Sequence, residues 1–279
     1  MWLFTATQLE MASSAHQRSI CLMICFLSFS FIHSCFLSFS FAAQLNETRV
    51  RLVDMPSEVD AAMFFVHGFG GQLEQFAQMF PFYAGRCRLV AFDQPGHGLS
   101  DKPVGTQPPT AHNSGCLLIF FLFVCLFVCL FVVGGGGVVI LSRTGAQHYT
   151  PEQLVENVLE VFRRYRRREN VLVAHSYGTS LLTFLCARLV AEQLDSAVSG
   201  LVLVAPTLAG PRNNVPWWVP WLPCWALDAF RYWEQRGGTE STSVLRFVHP
   251  NALPAVKQKQ LEWNRATPSH VVLSLIASL

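Results

Sequence analysis

The protein has 279 residues, of which 51% are hydrophobic and 14% are charged, and its formal net charge is +2. This length allows one large α/β domain, and the small net charge argues against a nucleic-acid partner. Two long apolar segments cause the shortage of charged residues. Six of the nine cysteines lie in those segments and the other three are widely spaced, so the sequence indicates neither a disulfide framework nor a zinc site. We expect no metal and no cofactor.

The first apolar segment covers residues 20–43 and contains no Asp, Glu, Lys or Arg. It is long enough to cross a bilayer, which takes about 20 apolar residues, so one interpretation is a signal peptide or a membrane anchor. The sequon that begins at Asn46 would then be a glycosylation site. The other interpretation is a low-complexity segment without a selected function, because residues 25–31 recur as residues 35–41. Both interpretations stay open.

Short apolar runs that end at turn residues predict buried strands, and three of them are each followed directly by a short polar motif. These are residues 62–66 before HGFGG at 67–71, residues 89–92 before DQPGHGLS at 93–100, and residues 171–174 before HSYG at 175–178. A helical pattern begins at once after the third motif, so Ser176 is predicted to lie on a sharp turn from strand to helix. Residues 50–53 predict an edge strand and residues 200–206 another buried strand.

The order of these motifs resembles that of the α/β-hydrolase family, over about residues 50–104 and 146–279. The resemblance implies a mostly parallel sheet with flanking helices and a helical cap. It also implies a serine hydrolase that acts on an ester, thioester or lipid, with a small acyl or lipid molecule as the substrate. One position departs from the family's G-x-S-x-G pattern, because Ala174 stands where the first glycine is usual.

The resemblance also assigns roles to individual residues. Ser176 would be the nucleophile, and the backbone N–H groups of Phe69 and Tyr177 would form the oxyanion hole. Supporting positions in the two motifs are His67, Gly68, Gly70, His175 and Gly178. We expect His67 and His97 to orient loops rather than to act as a catalytic base.

The catalytic triad of the family also needs an Asp or Glu and then a His after the serine, in that order. No strand followed by such an Asp is recognisable after Ser176, and His249 and His270 lack the expected setting. We therefore expect the acid, the base and the C-terminal strands to be missing from this chain. The sheet would then end on an unpaired apolar edge, which favours aggregation.

The second apolar segment lies within residues 105–147, and its residues 117–141 are a transmembrane candidate by hydropathy. A single span would place the strand before His67 and the strand before Ser176 on opposite sides of a membrane, although these strands must pair in one sheet. The segment is therefore either a re-entrant hairpin or an insertion that the folded protein does not use. We favour the insertion, and expect that Gly105 can be joined directly to Gln147.

Helices are predicted at 72–84, from Thr150 and Pro151 onward, at 179–193, and near 224–237 and 252–279. Prolines and tryptophans punctuate residues 207–223, as in a cap, and these tryptophans could line an acyl pocket or simply pack. The predicted divisions are an apolar segment at 1–45, hydrolase parts at 46–104 and 148–206, an insertion at 105–147 and a cap-like region at 207–279.

Three hypotheses for the function remain. The first is a serine hydrolase, weak or inactive in this chain, which the intact HGFGG and HSYG motifs favour. The second is a non-catalytic binding or scaffold protein with the same fold, which the missing triad partners favour. The third is a membrane-anchored protein, in which residues 20–43 or 117–141 act as a membrane segment. The protein would be membrane-associated if those segments function in this way, and cytoplasmic or mitochondrial otherwise.

Overall fold

The computed structural model of the protein describes residues 39–103, 146–206, 219 and 222–278. Within these ranges six strands form one mixed sheet in the order β1-β2-β4-β3-β5-β6. The strands are β1 (Ser40–Leu45), β2 (Thr48–Met55), β3 (Ala61–Val66), β4 (Arg88–Phe92), β5 (Glu169–His175) and β6 (Val198–Val204). β2 runs antiparallel to β1 and β4, and the other neighbouring pairs are parallel. The predicted parallel-rich sheet is confirmed.

The centre of the sheet is the pair β3 and β5. They align in parallel from Ala61 opposite Glu169 to Val66 opposite Ala174. Phe64, Phe65 and Leu172 are each at most 3% exposed, as expected for strands that are covered on both faces. Because parallel strands end at the same edge of a sheet, the HGFGG and HSYG motifs leave the sheet side by side.

The prediction of an edge strand at 50–53 is wrong, because β1 pairs with β2 along its whole length and forms the edge itself. β1 begins at Ser40, inside the apolar segment 20–43, and its Ala43 and Leu45 are buried in the core. The last residues of that segment therefore belong to the sheet. The remainder of the segment lies outside the described residues.

Asn46, the first residue of the sequon, occupies the turn between β1 and β2 with a φ of +48°. Its side-chain Nδ2 donates to Oδ1 of Asn157 at 2.8 Å, and its backbone N–H donates to Glu160 at 3.0 Å. A glycan would replace a proton on that same Nδ2 and disturb the contact with Asn157. The position of Asn46 thus gives the sequon a structural role.

Residues 200–206 are predicted to form a buried strand; the strand is present, but the prediction that it is buried is wrong. β6 forms as expected, but Leu201, Val202 and Leu203 are 44%, 45% and 41% exposed. β6 pairs with β5 on one side and is the last strand of the order at that edge. In the ranges that the structure covers, the chain after Val204 forms helices and turns only.

Seven α-helices are described: α1 (Phe80–Tyr83), α2 (Pro151–Tyr165), α3 (Tyr177–Ala191), α4 (Cys224–Glu234), α5 (Thr242–Leu245), α6 (Pro254–Ala266) and α7 (Ser269–Ser278). The start of α2 is as predicted, because the hydroxyl of Thr150 accepts the backbone N–H of Gln153 and Pro151 opens the helix. The predicted helix at 72–84 is wrong. A 3₁₀ turn at Leu73–Phe76 and the short α1 replace it, since Pro81 has no N–H and is tolerated only in a first helical turn.

The core lies on both faces of the sheet. On one face α2, α3 and α7 contribute buried residues, among them Phe162, Leu182 and Val271. On the other face, Phe65 packs its ring against Phe76 and Phe80 at centroid distances of 5.2 and 5.1 Å. This packing fixes the strand that carries the HGFGG motif from both sides.

Several predictions fall outside the described residues: most of the apolar segment 20–43, the insertion with its transmembrane candidate 117–141, and Trp217, Trp218 and Trp221. Where the insertion leaves and rejoins the fold, the Tyr149 hydroxyl donates to the Pro103 carbonyl oxygen at 3.0 Å. Pro103 and Tyr149, which flank the insertion, therefore lie next to each other. Among the helices of the described ranges, none has both the length and the apolarity to cross a membrane.

Candidate active site

Ser176 lies at the point where β5 ends and α3 begins, with φ +52° and ψ −126°. A positive φ is costly for a residue with a side chain, so surrounding contacts must hold it. The Ser176 N–H donates to the Val204 carbonyl oxygen at 3.0 Å, and its own carbonyl oxygen accepts from Thr179 N–H at 2.9 Å. The Thr179 hydroxyl adds a second bond to that oxygen at 2.6 Å. The turn is thereby clamped from β6 and from α3.

The Ser176 side chain makes no capping hydrogen bond to α3, although serine at the residue before a helix commonly does so. Among the residues that the structure describes, no histidine bonds to the Ser176 hydroxyl either. The side chain is half-buried. A serine in an ordinary turn would use its hydroxyl on the helix end, so this geometry leaves the oxygen available for chemistry.

The HGFGG loop passes directly against Ser176. A Cβ at Gly68 would lie 2.8 Å from both the His175 carbonyl oxygen and the Ser176 Cβ, and 3.1 Å from the Tyr177 nitrogen. A Cβ at Gly178 would lie 2.5 Å from the Val66 carbonyl oxygen. No side chain fits at either position without a shift of backbone. Both glycines are thus required by the close approach of the two motifs.

Phe69 and Tyr177, the predicted oxyanion-hole residues, are both half-buried and pack against the main core cluster. Phe69 lies in a tight turn closed by a 3.1 Å bond from Gly71 N–H to the Gly68 carbonyl oxygen, and Gly70 supplies the positive φ of +65°. The Phe69 N–H has no acceptor within the described ranges. Tyr177 is the first residue of α3, where the helix dipole favours negative charge.

His67 is bonded to backbone groups through both of its ring nitrogens. Its Nε2 accepts the Gln94 N–H at 2.9 Å, so the ring proton is on Nδ1 and is donated to the Gly68 carbonyl oxygen at 2.8 Å. Burial, and next the neighbouring His97, lower the pKa of His67 to about 3. A neutral ring with both nitrogens bonded to backbone cannot take a proton from Ser176.

His97 lies against the His67 ring, with the centroids 5.1 Å apart, and its Nδ1 is 3.2 Å from the Pro95 carbonyl oxygen. Burial lowers its pKa to about 4, so it is neutral at physiological pH. His175 is half-buried at the end of β5, and burial lowers its pKa as well. Neither ring bonds to the Ser176 hydroxyl in the described part of the chain.

Asp93 is a residue whose role the sequence did not reveal. It is fully buried, and its two carboxylate oxygens accept Leu73 N–H at 2.7 Å and Leu99 N–H at 2.9 Å. It therefore ties the segment after HGFGG to the loop after β4. Burial raises its pKa to about 6, against the opposing effect of the two N–H groups and of Arg51. The only sequence signal was an acidic residue directly after a buried strand.

A chain of ion pairs extends from this region to the cap-like helices. Arg51 on β2 pairs with Glu74 at 3.0 Å and lies 3.9 Å from Asp93, and Glu74 also pairs with Lys259 on α6 at 2.6 Å. Arg51 and Asp93 are buried, so surrounding atoms hold both side chains in place. They connect α6 to the same loops that Asp93 positions.

His249 and His270 lie elsewhere. His249 is exposed in the turn before α6 and accepts the Asn251 N–H at 3.1 Å. His270, on α7, packs against the Tyr149 ring at 6.3 Å, and burial lowers its pKa. The structure thus brings Ser176 together with Phe69, Tyr177, His67 and His175, and brings neither of these two histidines to Ser176.

Across the described part of the chain, no three His, Cys, Asp or Glu side chains are grouped as metal ligands would be.

The sequence of this chain is similar to that of curated proteins along part of its length. Protein ABHD8 of Homo sapiens and of Bos taurus is 28% identical over 130 residues, which cover 46% of this chain. The aligned stretch spans only about a fifth of the length of these curated relatives (20% and 21%).

Solved structures share the fold at low identity. An epoxide hydrolase from Bacillus megaterium aligns with a TM-score of 0.54 at 13% identity, over 86% of this chain and 72% of the other. An esterase from Exiguobacterium antarcticum aligns with a TM-score of 0.53 at 15% identity, over 85% and 72%. The model of the alpha/beta hydrolase family matches residues 63–275, which include both motifs around Ser176. The chain therefore belongs to the alpha/beta hydrolase family.

Proposed function

We propose that the protein is a serine hydrolase whose substrate is an ester, a thioester or a lipid, and that this chain turns substrate over weakly. The observation that supports the proposal best is the strained Ser176, which keeps its hydroxyl clear of the N-terminus of α3. The adjacent Phe69 loop supports it further. A backbone conformation this costly, held by three hydrogen bonds, is typical of functional sites.

The reaction follows from the groups present. The Ser176 oxygen attacks the carbonyl carbon of the substrate while its proton passes to solvent water, and the carbonyl oxygen becomes an anion that the N–H groups of Phe69 and Tyr177 stabilise. Collapse of this intermediate breaks the bond to the alcohol or thiol, which leaves with a proton from solvent, and an acyl-serine remains. Water then releases the acid and restores Ser176.

Weak turnover is proposed because the serine proton needs an acceptor. Serine is a poor nucleophile at neutral pH unless a base takes that proton. In a well-studied serine protease, removal of triad members costs about a million-fold in kcat, while roughly a thousand-fold over water persists from the oxyanion hole and binding. The histidines placed near Ser176 have lowered pKa values, which makes each of them a weak base, and within the described ranges none is bonded to the Ser176 hydroxyl.

A non-catalytic binding protein is the second candidate. One observation favours it. The hydrolase fold is present, but in the described ranges no histidine is bonded to the Ser176 hydroxyl as a catalytic base would be. This candidate predicts that Ser176 behaves like any exposed serine.

A fluorophosphonate probe and an ester assay separate the two candidates. We expect ester turnover near background, a change of less than about twofold in Ser176→Ala, and weak labelling that is lost in that variant. Ser199→Ala, at an exposed serine on β6, is the matched control and should label like the wild type.

Labelling of Ser176 no stronger than that of Ser199 would support the binding protein and reject the hydrolase. Strong labelling that disappears in Ser176→Ala would keep the hydrolase but refute weak turnover. It would mean that a histidine, either His249 or His270, reaches the serine.

A further inference from the structure

The α4 helix turns its apolar side away from the protein. Four large aromatic side chains of this helix are more than half exposed: Trp225 at 58%, Phe230 at 52%, Tyr232 at 71% and Trp233 at 65%. Its inward side instead includes Leu227, which is 9% exposed, and Arg231, which donates to Ser269 and to carbonyl oxygens at the end of α6. This is the reverse of the usual surface helix, whose apolar face points to the core.

The exposed aromatic residues form one continuous face. With about 100° between successive residues, Tyr232, Trp225, Trp233 and Phe230 fall within an arc of about 160°. Only Ala226 and Ala229 share that arc within the helix, so it contains no charged side chain. Arg236 follows just beyond the helix end, exposed, with its guanidinium 5.8 Å from the Tyr232 ring centroid. The face is thus aromatic with a single cation at one end.

The chemistry of this face matches the interfacial layer of a bilayer. Trp and Tyr are the residues that concentrate at the boundary between headgroups and acyl chains, because their rings are apolar and carry one polar group. Arg236 lies beside the exposed Tyr232 ring. From there its guanidinium can reach a lipid phosphate while its aliphatic stem stays on the apolar surface. A helix with aromatic residues on one face and a cation beside them can lie in the plane of the membrane without crossing it.

The size of the face fits a bilayer better than a second copy of the chain. At about 200 Å² for an aromatic side chain, the exposed parts of the four rings come to roughly 500 Å². A stable protein–protein interface takes about 800 Å² from each partner. A patch of about 500 Å² is nevertheless large enough to mark an interaction site on a monomer.

We propose that this outer face of α4 docks the protein onto the surface of phospholipid membranes, with the aromatic rings at headgroup level and Arg236 beside the phosphates. The inference is independent of whether Ser176 is reactive. It would place the cap-like helices of the protein against a lipid layer.

The proposal is tested with vesicles of phosphatidylcholine and the full chain. In co-sedimentation, Tyr232→Ser/Trp233→Ser should lower the partition coefficient by about tenfold or more. The matched control, Phe82→Ser/Phe184→Ser, removes two other exposed aromatics, which are 63% and 47% exposed on α1 and α3, and should stay within about twofold of wild type. Far-UV circular dichroism verifies the fold of each variant.

A second measurement does not depend on a disruptive change. With brominated phosphatidylcholine, the tryptophan emission of wild type should be quenched. In Trp225→Phe/Trp233→Phe the share of that quenching that comes from these two of the seven tryptophans should be lost, while vesicle binding changes less than about threefold because Phe keeps the apolar ring.

Three results would overturn the proposal. One is an absence of vesicle binding by the wild type, and another is equal binding by wild type and Tyr232→Ser/Trp233→Ser. The third is a concentration-dependent dimer that this variant abolishes, which would make the face a contact between copies.

Discussion

β5 and β6 are neighbouring strands of similar composition with different surroundings. Leu172, Val173 and Ala174 of β5 are at most 1% exposed, whereas their register partners in β6, Leu201, Val202 and Leu203, are each more than 40% exposed. β5 has a paired strand on both sides, and β6 has one on a single side in the described part of the chain. The apolar composition therefore predicts a strand, but the neighbours of that strand decide how deeply it is buried.

The two strands also contribute differently to the candidate site. β5 delivers Ser176 at its end, while β6 supplies only the Val204 carbonyl oxygen that receives the Ser176 N–H. The centre of the sheet is rigid because packing and close glycine contacts fix it. Two experiments compare this centre with the β6 edge and a third tests the loops at the centre alone, in order of expected effect.

The largest difference is expected for the register partners Leu172 and Leu201. Leu172→Ala leaves a cavity in a fully buried site and should lower the free energy of unfolding by about 2–5 kcal/mol. Leu201→Ala removes a side chain that is 44% exposed and should cost less than about 1 kcal/mol. Urea denaturation of both variants measures the difference, and equal losses would mean that β6 is buried in solution.

The second comparison uses one glycine from each region. Gly178→Ala places a methyl group 2.5 Å from the Val66 carbonyl oxygen, and the overpacking should cost about 1–3 kcal/mol despite the better helix propensity of alanine. Gly200→Ala in β6 meets Val171 at an ordinary 3.6 Å and should be neutral or stabilising by up to about 1 kcal/mol. Thermal unfolding monitored by circular dichroism checks the pair, and destabilisation by Gly200→Ala would contradict the open edge.

The third experiment uses pH. His67 and His97, in the loops after β3 and β4, have folded pKa values near 3 and 4, well below the ordinary 6.5, so below about pH 6.5 the unfolded chain binds their protons more readily. Stability should therefore fall with acidification from pH 7 to pH 5. Asp93 acts in the opposite direction because its folded pKa is raised to about 6. The net loss from these three groups should be about 2 kcal/mol, and His175 and His270, whose pKa values burial also lowers, act in the same direction as His67.

Urea denaturation at pH 7 and pH 5 measures that loss. In His97→Gln the difference between the two pH values should shrink by about 2 kcal/mol, because the contribution of His97, which opposes that of Asp93, is gone. An unchanged pH dependence in His97→Gln would show that this histidine is not buried neutral.

The sequence by itself determined the elements whose causes are local. Apolar runs bounded by turn residues specified β2 to β6 but not β1, Thr150 with Pro151 specified the start of α2, and the sharp turn at Ser176 followed from a strand that meets a helix without a spacer. The ordered motifs specified the family. Apart from the order of the motifs, each of these signals lies within about ten consecutive residues.

Only the tertiary structure decided what depends on residues distant in sequence. It placed β1 outside β2, left β6 at the edge, and joined Asp93 to Leu73 and Leu99. It also fixed the proton of His67 on Nδ1 through a bond to Gln94, 27 positions away. On α4, the inward and outward faces cannot be told apart by periodicity, because a helix that shows aromatics to solvent has the same pattern as one that buries them. Burial is a property of the neighbours, and the neighbours are chosen by the fold.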